Sequence, residues 1–340
     1  MLVLGIESTC DETAASVVQD GTKVLSNVIY SQAQLHNQFK GVIPELACRK
    51  HLDVMIPVIE QALKEANCSL DDIDVIAAAR GPGLIGALLI GLNTAKALAY
   101  AAQKPFVGVN HLEGHLYGSM MLEMPKKFPC LGVILSGGHT ALVHIEAIRK
   151  YRILGTTVDD AIGEAFDKVA SLLDLPYPGG PFIENLAKDG DPYKFSFKAG
   201  NVKKNPLDFS FSGLKTNVMY SIKGQNQDKK APSNLSDIEK KDIAASFQRA
   251  AFSDIVNKTL LATDHYPYHG LIFGGGVCCN KALKKMFEEA FASTPQFWPA
   301  NGMASDNAAM IAGLGYHQYL QQNQKDSYFL KAQPRIPNLM

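Results

Sequence analysis

His111 and His115 stand four residues apart in VNHLEGHLYG (109–118). On a helix that spacing puts both imidazoles on one face, where they can hold a metal ion. Zinc peptidases place a glutamate directly after the first histidine of such a pair. Here the acid, Glu113, comes one position later. At about 100° per residue the histidines lie at about 0° and about 40°, and Glu113 at about 200°. It points away from an ion held by the pair, so a peptidase base is misplaced, and Gly114 weakens the helix beside it. A third ligand must come from elsewhere. Asp306, among small residues at a helix start in GMASDNAAM (302–310), is a candidate, with helix capping as its alternative role. Asp11 and Glu12 lie in a polar turn between apolar runs. They are either a solvated turn or a carboxylate pair aimed at a cleft, available for acid–base work or for orienting a metal.

Three glycine-rich turns follow apolar strands: Gly81-Pro82-Gly83, Ser136-Gly137-Gly138 and Gly274-Gly275-Gly276. Such turns let backbone amides approach an anion closely. None has the P-loop or dinucleotide-fold spacing, so together they point to a phosphate or nucleotide cleft of another kind. Asp167 is a mid-helix acid in apolar surroundings, and LPYPGGP (175–181) is a rigid turn. Between Lys194 and Lys230, eight lysines face Asp208 and Asp228, a local excess of six positive charges. That run is either a solvated surface or a contact for nucleic-acid phosphates.

These residues need a scaffold. At 340 residues the chain exceeds one comfortable core, so two domains are expected. Lys and Arg balance Asp and Glu at 33 each, which leaves any nucleic-acid binding to a local patch. The start, MLVLGIESTC, lacks the basic flank of a signal peptide. The longest apolar stretch, 84–102, is broken by Gly86, Gly91, Asn93, Thr94 and Lys96, so no membrane span is expected. Six cysteines without a CxxC pair read as buried thiols in a reducing cytoplasm.

The pattern LVLGI, ESTCDET, AASVV is strand, turn, strand, followed by a third strand, KVLSNVIY. It returns about 130 residues later as CLGVIL, SGGHT, ALVHIEA, a spacing that suggests a duplicated domain whose hairpin turns share a cleft. Helices are expected over 50–66, 85–102, 158–173 and 236–263. The first has an apolar face of Leu52, Met55, Ile56, Val58, Ile59 and Leu63, and Pro57 predicts a kink or restart within it. Residues 71–83 read as a strand ending in the Gly-Pro-Gly loop, 270–280 as strand, glycine turn and helix start, and 224–234 as a mobile polar loop. The order is mixed α/β.

Nine stretches, GIESTCDETA, GVIPELACRKH, GPGLIGALLIGLNTAKALA, NHLEGH, LSGGHT, YPGGP, FSFSGLKT, GGGVCCN and SDNAAM, stand in the order and spacing of one family. From Gly5 to Arg335 the chain resembles the TsaD/Kae/Gcp family of tRNA threonylcarbamoyladenosine transferases, and the lack of a kinase-like extension resembles its bacterial members. The resemblance implies an actin-like (ASKHA) fold, two related α/β domains around a nucleotide cleft. The domains would be 1–125 with a returning segment 303–327, and 126–302, followed by a tail, 328–340. It implies transfer of a threonylcarbamoyl group from threonylcarbamoyl-AMP to the exocyclic amine of the adenosine beside the anticodon, position 37, in tRNAs reading ANN codons.

The implied metal, iron(II) in preference to zinc or magnesium, falls on His111, His115 and Asp306. Implied substrate contacts fall on Ile134, Leu135, Ser136, Gly137, Gly138, Asp167, Gly180, Glu184 and Asn280, and Asp11 and Glu12 match the cleft carboxylates. Position 184 carries Glu where many bacterial members carry Asp. Implied partners are tRNA, a shorter TsaB-like paralogue and a small TsaE-like ATPase, in the cytoplasm and without a membrane. An ATPase or kinase of the same superfamily is the rival reading, and a metallopeptidase is disfavoured by Glu113.

Overall fold

The computed structural model describes residues 1–224, 235–322 and 325–335. The first half is built from β1 (Leu2–Glu7), β2 (Glu12–Gln19), β3 (Lys23–Ser31), α1 (Ala33–Asn37), α2 (Pro44–Glu65), β4 (Val75–Gly81), α3 (Ile85–Ala101), β5 (Phe106–Asn110) and α4 (His111–Met120). The second runs through β6 (Cys130–Leu135), β7 (Thr140–Ala147), β8 (Lys150–Thr156), α5 (Ile162–Leu172), α6 (Gly179–Ala187), α7 (Ser212–Lys223), α8 (Asp237–His265), β9 (Leu271–Gly274), α9 (Lys281–Ala290) and β10 (Gln296–Phe297). It is followed by α10 (Ala308–Gln322).

The two sheets share one topology. In the order β3-β2-β1-β4-β5, the first three strands are an antiparallel meander and β4 and β5 run parallel to β1. The order β10-β9-β6-β7-β8 repeats this, with β6 in the place of β1. Central strands covered on both faces read as continuous apolar runs, and their period-2 alternation sorts side chains between two cores. Leu4, Ile6, Ile76 and Ala78 pack with α2 and α3 residues. Val3, Val75, Ala77 and Ala79 join α4 and α10 residues, and Ile134 of the second sheet joins the same cluster. Leu131, Val133 and Leu135 face the opposite way, toward α5 and α8. The helices α4 and α10 therefore lie between the two sheets.

Close approach makes that middle layer possible. A Cβ on Gly5 would stand 2.3 Å from the Ala308 carbonyl oxygen and 2.7 Å from the Ala312 nitrogen. Only a glycine in β1 lets α10 lie so near. Segment 325–335 then straps the first sheet. Asp326 N donates to Phe106 O at 2.8 Å, Gln333 N to Arg80 O at 2.7 Å, and Gly83 N to Pro334 O at 3.2 Å.

Three expectations need correction. The helix expected from 50 starts at Pro44, with proline at its N-terminus, and continues through Pro57 without a restart. Its expected single apolar face is split, because Met55, Val58 and Ile59 are buried while Leu52 and Ile56 are 66% and 48% exposed. The helix expected from 158 begins at Ile162, after Asp159 accepts hydrogen bonds from the 210–212 backbone and hydroxyls. Of the loop expected over 224–234, residues 225–234 lie outside the described residues. The cysteines among the described residues are free thiols, and no described helix is long and apolar enough to cross a membrane.

Candidate metal centre and cleft

The chain turns from β5 straight into α4 because Asn110 caps it, its Oδ1 accepting from Leu112 N at 2.9 Å and Glu113 N at 3.4 Å. Both histidines are buried, with ring centroids 4.6 Å apart. The acid arrives from the far end of the chain. Asn307, not Asp306, caps α10 by accepting from Met310 N at 3.1 Å, so the capping role is taken by its neighbour and Asp306 is released.

Asp306 Oδ1 lies 3.1 Å from His115 Nε2 and 3.6 Å from His111 Nε2, and one ligand atom from each of the three residues falls within 4.8 Å of the others. Atoms bonded at about 2.1 Å to one ion are about 3.0–3.4 Å apart. The His115–Asp306 separation meets that range and the His111–Asp306 separation is slightly wider, so small side-chain movements would bring the three onto a shared divalent cation. The buried Nε2 of His115 has no hydrogen-bond partner of acceptable direction, as a lone pair reserved for an ion would leave it. Burial opposes charge on His111, but the carboxylates of Glu7 and Asp306 outweigh it and raise its pKa to about 9. Burial likewise opposes the Asp306 carboxylate, which the imidazoles of His111, His115 and His139 hold well below the usual range. His139 is pushed down to about 4, by burial first and then by the other two imidazoles.

The triad opens on a cleft of about 920 Å³ between the two halves. The Thr9–Glu12 turn lines one wall, and the turns around 136–139 and 276–280 line the other. Gly137, Gly138, Gly180 and Gly276 border it with no atom within 4 Å of where a Cβ would stand, a concavity of exposed backbone suited to phosphate and sugar. Gly275 holds a different post, with φ +100° and a Cβ position 2.4 Å from Leu135 O. Ser136 closes its own turn by accepting from His139 N at 3.1 Å.

Asp11 is buried and Glu12 is partly so; burial, then the charges of Asp11 and Asp306, raise the Glu12 pKa well above the usual carboxylate range. Asp167 is no solvated helix acid. Its Oδ1 accepts from Gly179 N at 2.6 Å and fixes the head of α6, while burial, against that bond, raises its pKa to about 6. Glu184 accepts from Lys281 N at 2.9 Å, and Asn280 caps α9 while donating to Gln248. Asp11, Glu12, Asp167, Glu184 and Asn280 line the cleft. Ile134 and Leu135 do not. Their side chains are wholly buried in the cores on opposite faces of β6, so only backbone could serve a ligand there. Glu113 is buried outside the triad, its pKa raised to about 7 by burial against the opposing charges of Arg149 and Arg80.

Sequence reasoning missed Glu7, Thr9 and Tyr177. Tyr177 spans the cleft, its N donating to Asn37 Oδ1 at 2.9 Å and its hydroxyl to Asp11 Oδ2 at 3.4 Å. The available signal for Glu7 was an acid closing the apolar run LVLGIE of a central strand. The lysine run is not one patch: Lys194, Lys198, Lys203 and Lys204 are exposed, Lys215 turns inward to Asp160, and Lys229 and Lys230 lie outside the described residues.

Two sheets of repeated topology around a cleft define an actin-like (ASKHA) fold, and at its floor stands a triad that could hold a metal ion. HypF from T. kodakarensis has the same fold, with TM-score 0.61 at 14% identity over 95% of this chain and 48% of that one. So does component A of the (R)-2-hydroxyglutaryl-CoA dehydratase of Acidaminococcus fermentans, with TM-score 0.54 at 14% identity over 94% and 99%. The chain belongs to the TsaD family, tRNA N6-adenosine threonylcarbamoyltransferase, whose family model matches residues 23–313. A protein of that name from Protochlamydia amoebophila (strain UWE25) is 60% identical over 338 residues, 99% of this chain and 98% of its own. Another, from Moorella thermoacetica, is 45% identical over 323 residues, 94% and 93% of the two chains.

Proposed function

We propose that the chain transfers a threonylcarbamoyl group from threonylcarbamoyl-AMP to the N6 amine of the adenosine at position 37 in tRNAs reading ANN codons. The observation that carries this is the juxtaposition of the His111–His115–Asp306 triad with the open glycine turns across one cleft. In this reading the backbone at 136–138 and 274–276 receives the adenylate, bordered by Asp167, Gly180, Glu184 and Asn280. His111, His115 and Asp306 would hold a divalent ion, which would supply Lewis-acid polarisation of the carbamoyl carbonyl. Two imidazoles and one carboxylate are also the ligand set of non-haem iron(II) centres, which favours iron. The amine nitrogen bonds to the carbamoyl carbon, the carbon–oxygen bond to the phosphate breaks, and AMP leaves. The proton from the amine goes to Asp11 or Glu12, the two carboxylates of the turn that lines the cleft.

Incubation with threonylcarbamoyl-AMP, unmodified tRNA and the partner proteins should yield threonylcarbamoyladenosine by mass spectrometry of digested nucleosides. No modified nucleoside, together with robust ATP turnover in the absence of tRNA, would favour the ATPase reading instead.

The same reading assigns a TsaB-like paralogue and a TsaE-like ATPase as partners, in the cytoplasm. Leu52 and Ile56 on α2, with Ile85 and Leu89 on α3, each pair one helical turn apart, are exposed on two helices that pack together. Such an apolar face suits a paired-helix contact with the paralogue. Leu52→Asp combined with Ile85→Asp should abolish co-elution with the paralogue on gel filtration and leave bound metal unchanged. Undiminished co-elution would remove this face from the interface.

A further inference from the structure

The end of β1 carries a second set of polar contacts that surrounds the triad without belonging to it. Glu7 is the last residue of that strand and is wholly buried. A carboxylate there is costly unless its oxygens are satisfied by donors and its charge is matched. Both oxygens are used. Oε1 accepts from Thr9 N at 2.6 Å, and Oε2 lies 2.8 Å from His111 Nδ1, which is also the ion-pair partner of Glu7. An ionised carboxylate only accepts, so Nδ1 keeps its proton against Glu7, and Nε2, which faces Asp306 and His115, is the nitrogen whose lone pair a cation would take, displacing any proton there. Two residues on, the Thr9 hydroxyl donates to Asp306 Oδ2 at 3.4 Å, while Oδ1 is the oxygen nearest both Nε2 atoms. The second imidazole has no such support, since His115 Nδ1 is buried without a partner.

We infer that Glu7 is a positioning residue for the metal centre: it fixes His111 in the tautomer that offers Nε2, and Thr9 beside it turns Asp306 so that Oδ1 meets the same point. The inference rests on the metal reading above and adds the device that presets its ligands. Outer-shell carboxylates of this kind fix ring orientation and raise ligand basicity, and their loss typically costs about 10–100-fold in metal affinity. Glu7→Gln is a sharp probe because it preserves shape while removing one acceptor. The amide must direct its NH₂ either at Thr9 N–H, donor against donor, or at His111 Nδ1. The second choice makes Nδ1 an acceptor and moves the ring proton to Nε2, where the metal needs a lone pair.

The test is an anaerobic competition titration of the full chain with Co²⁺ and Fe²⁺, alongside the Co²⁺ absorption spectrum, for wild type, Glu7→Gln, Glu7→Asp and His111→Ala. Expected are a 10–100-fold weaker Kd and an altered spectrum for Glu7→Gln, partial recovery for Glu7→Asp, and no specific binding for His111→Ala. Wild-type affinity and spectrum in Glu7→Gln, with metal still bound by wild type, would overturn the positioning role alone. A wild type that binds no metal would overturn the metal reading and this inference with it. Because Glu7→Gln removes a buried charge and can fail to fold, long-range ¹H–¹⁵N spectra of the zinc-loaded wild type provide a second measurement. His111 must show a protonated Nδ1 and a metal-bound Nε2, and the reverse assignment overturns the inference without any variant.

Discussion

Asp306→Ala is expected to empty the metal centre and to lower threonylcarbamoyl transfer to tRNA by about 10³-fold. Asp306 is the anionic member of the triad and the one that reaches both imidazoles, at 3.1 and 3.6 Å. Without it the ion keeps two neutral ligands on adjacent turns of α4, an arrangement with no charge to offset its own. Lewis-acid polarisation is worth several kcal/mol, and about 4 kcal/mol corresponds to about 10³ in rate. Asp306→Asn, which keeps an oxygen but not the charge, should fall between the variant and wild type in metal affinity. Metal content by elemental mass spectrometry, read beside single-turnover transfer, checks both. Stoichiometric metal in Asp306→Ala would show that the ion sits elsewhere.

Gly5→Ala should be among the most destabilising single-methyl changes in the molecule. Its new Cβ would meet the Ala308 oxygen and Ala312 nitrogen, both backbone, at 2.3 and 2.7 Å. Neither can rotate away, so α10 must move. Overpacking of this kind costs about 1–3 kcal/mol and occasionally more, and the upper end is expected here. The consequence is not confined to stability. Asn307, at the head of α10, caps the helix, and Asp306 precedes it directly. A displaced α10 should therefore weaken metal binding although no ligand has changed. Denaturant unfolding and metal titration of the same preparation test the coupling. Gly213→Ala is the control: its Cβ would meet nothing within 4 Å, near the start of α7, and it should be neutral or stabilising by up to about 1 kcal/mol. Equal stability of Gly5→Ala and wild type would contradict the close packing of α10 on β1.

Much of this was legible in the chain itself. The histidine spacing, the misplaced Glu113 and the repeated strand–turn–strand pattern all follow from periodicity and turn chemistry, which are local. The repeat became two sheets of one topology. What stayed hidden depended on contacts distant in sequence. Leu52 and Ile56 share apolar character with Met55 and Val58, and only the packing of α2 on the sheet and α3 decides which are covered. Ile134 and Leu135 sit beside the Ser136 turn in sequence, but the pleat of β6 sends both side chains into cores. Pro57 predicted a kink or a restart, and a helix held by tertiary contacts over 22 residues runs through it without restarting. Glu7 was unreadable because its meaning lies in His111, more than one hundred residues away.

The placement of α10 between the sheets has a consequence for how the molecule is made. During synthesis the histidines of α4 emerge long before Asp306, by roughly 190 residues, or about 10–40 s at ordinary elongation rates. Throughout that interval the first sheet lacks the helix that covers Val3, Ala77 and Val109, and the imidazole pair lacks its anionic partner. The nascent first half must therefore wait, with one apolar face uncovered, for the second half to be completed. A chaperone that holds exposed apolar surface would find its client here, on the amino-terminal sheet. The triad is then assembled only on completion of the fold, because Asp306 cannot reach the two imidazoles before α10 has docked.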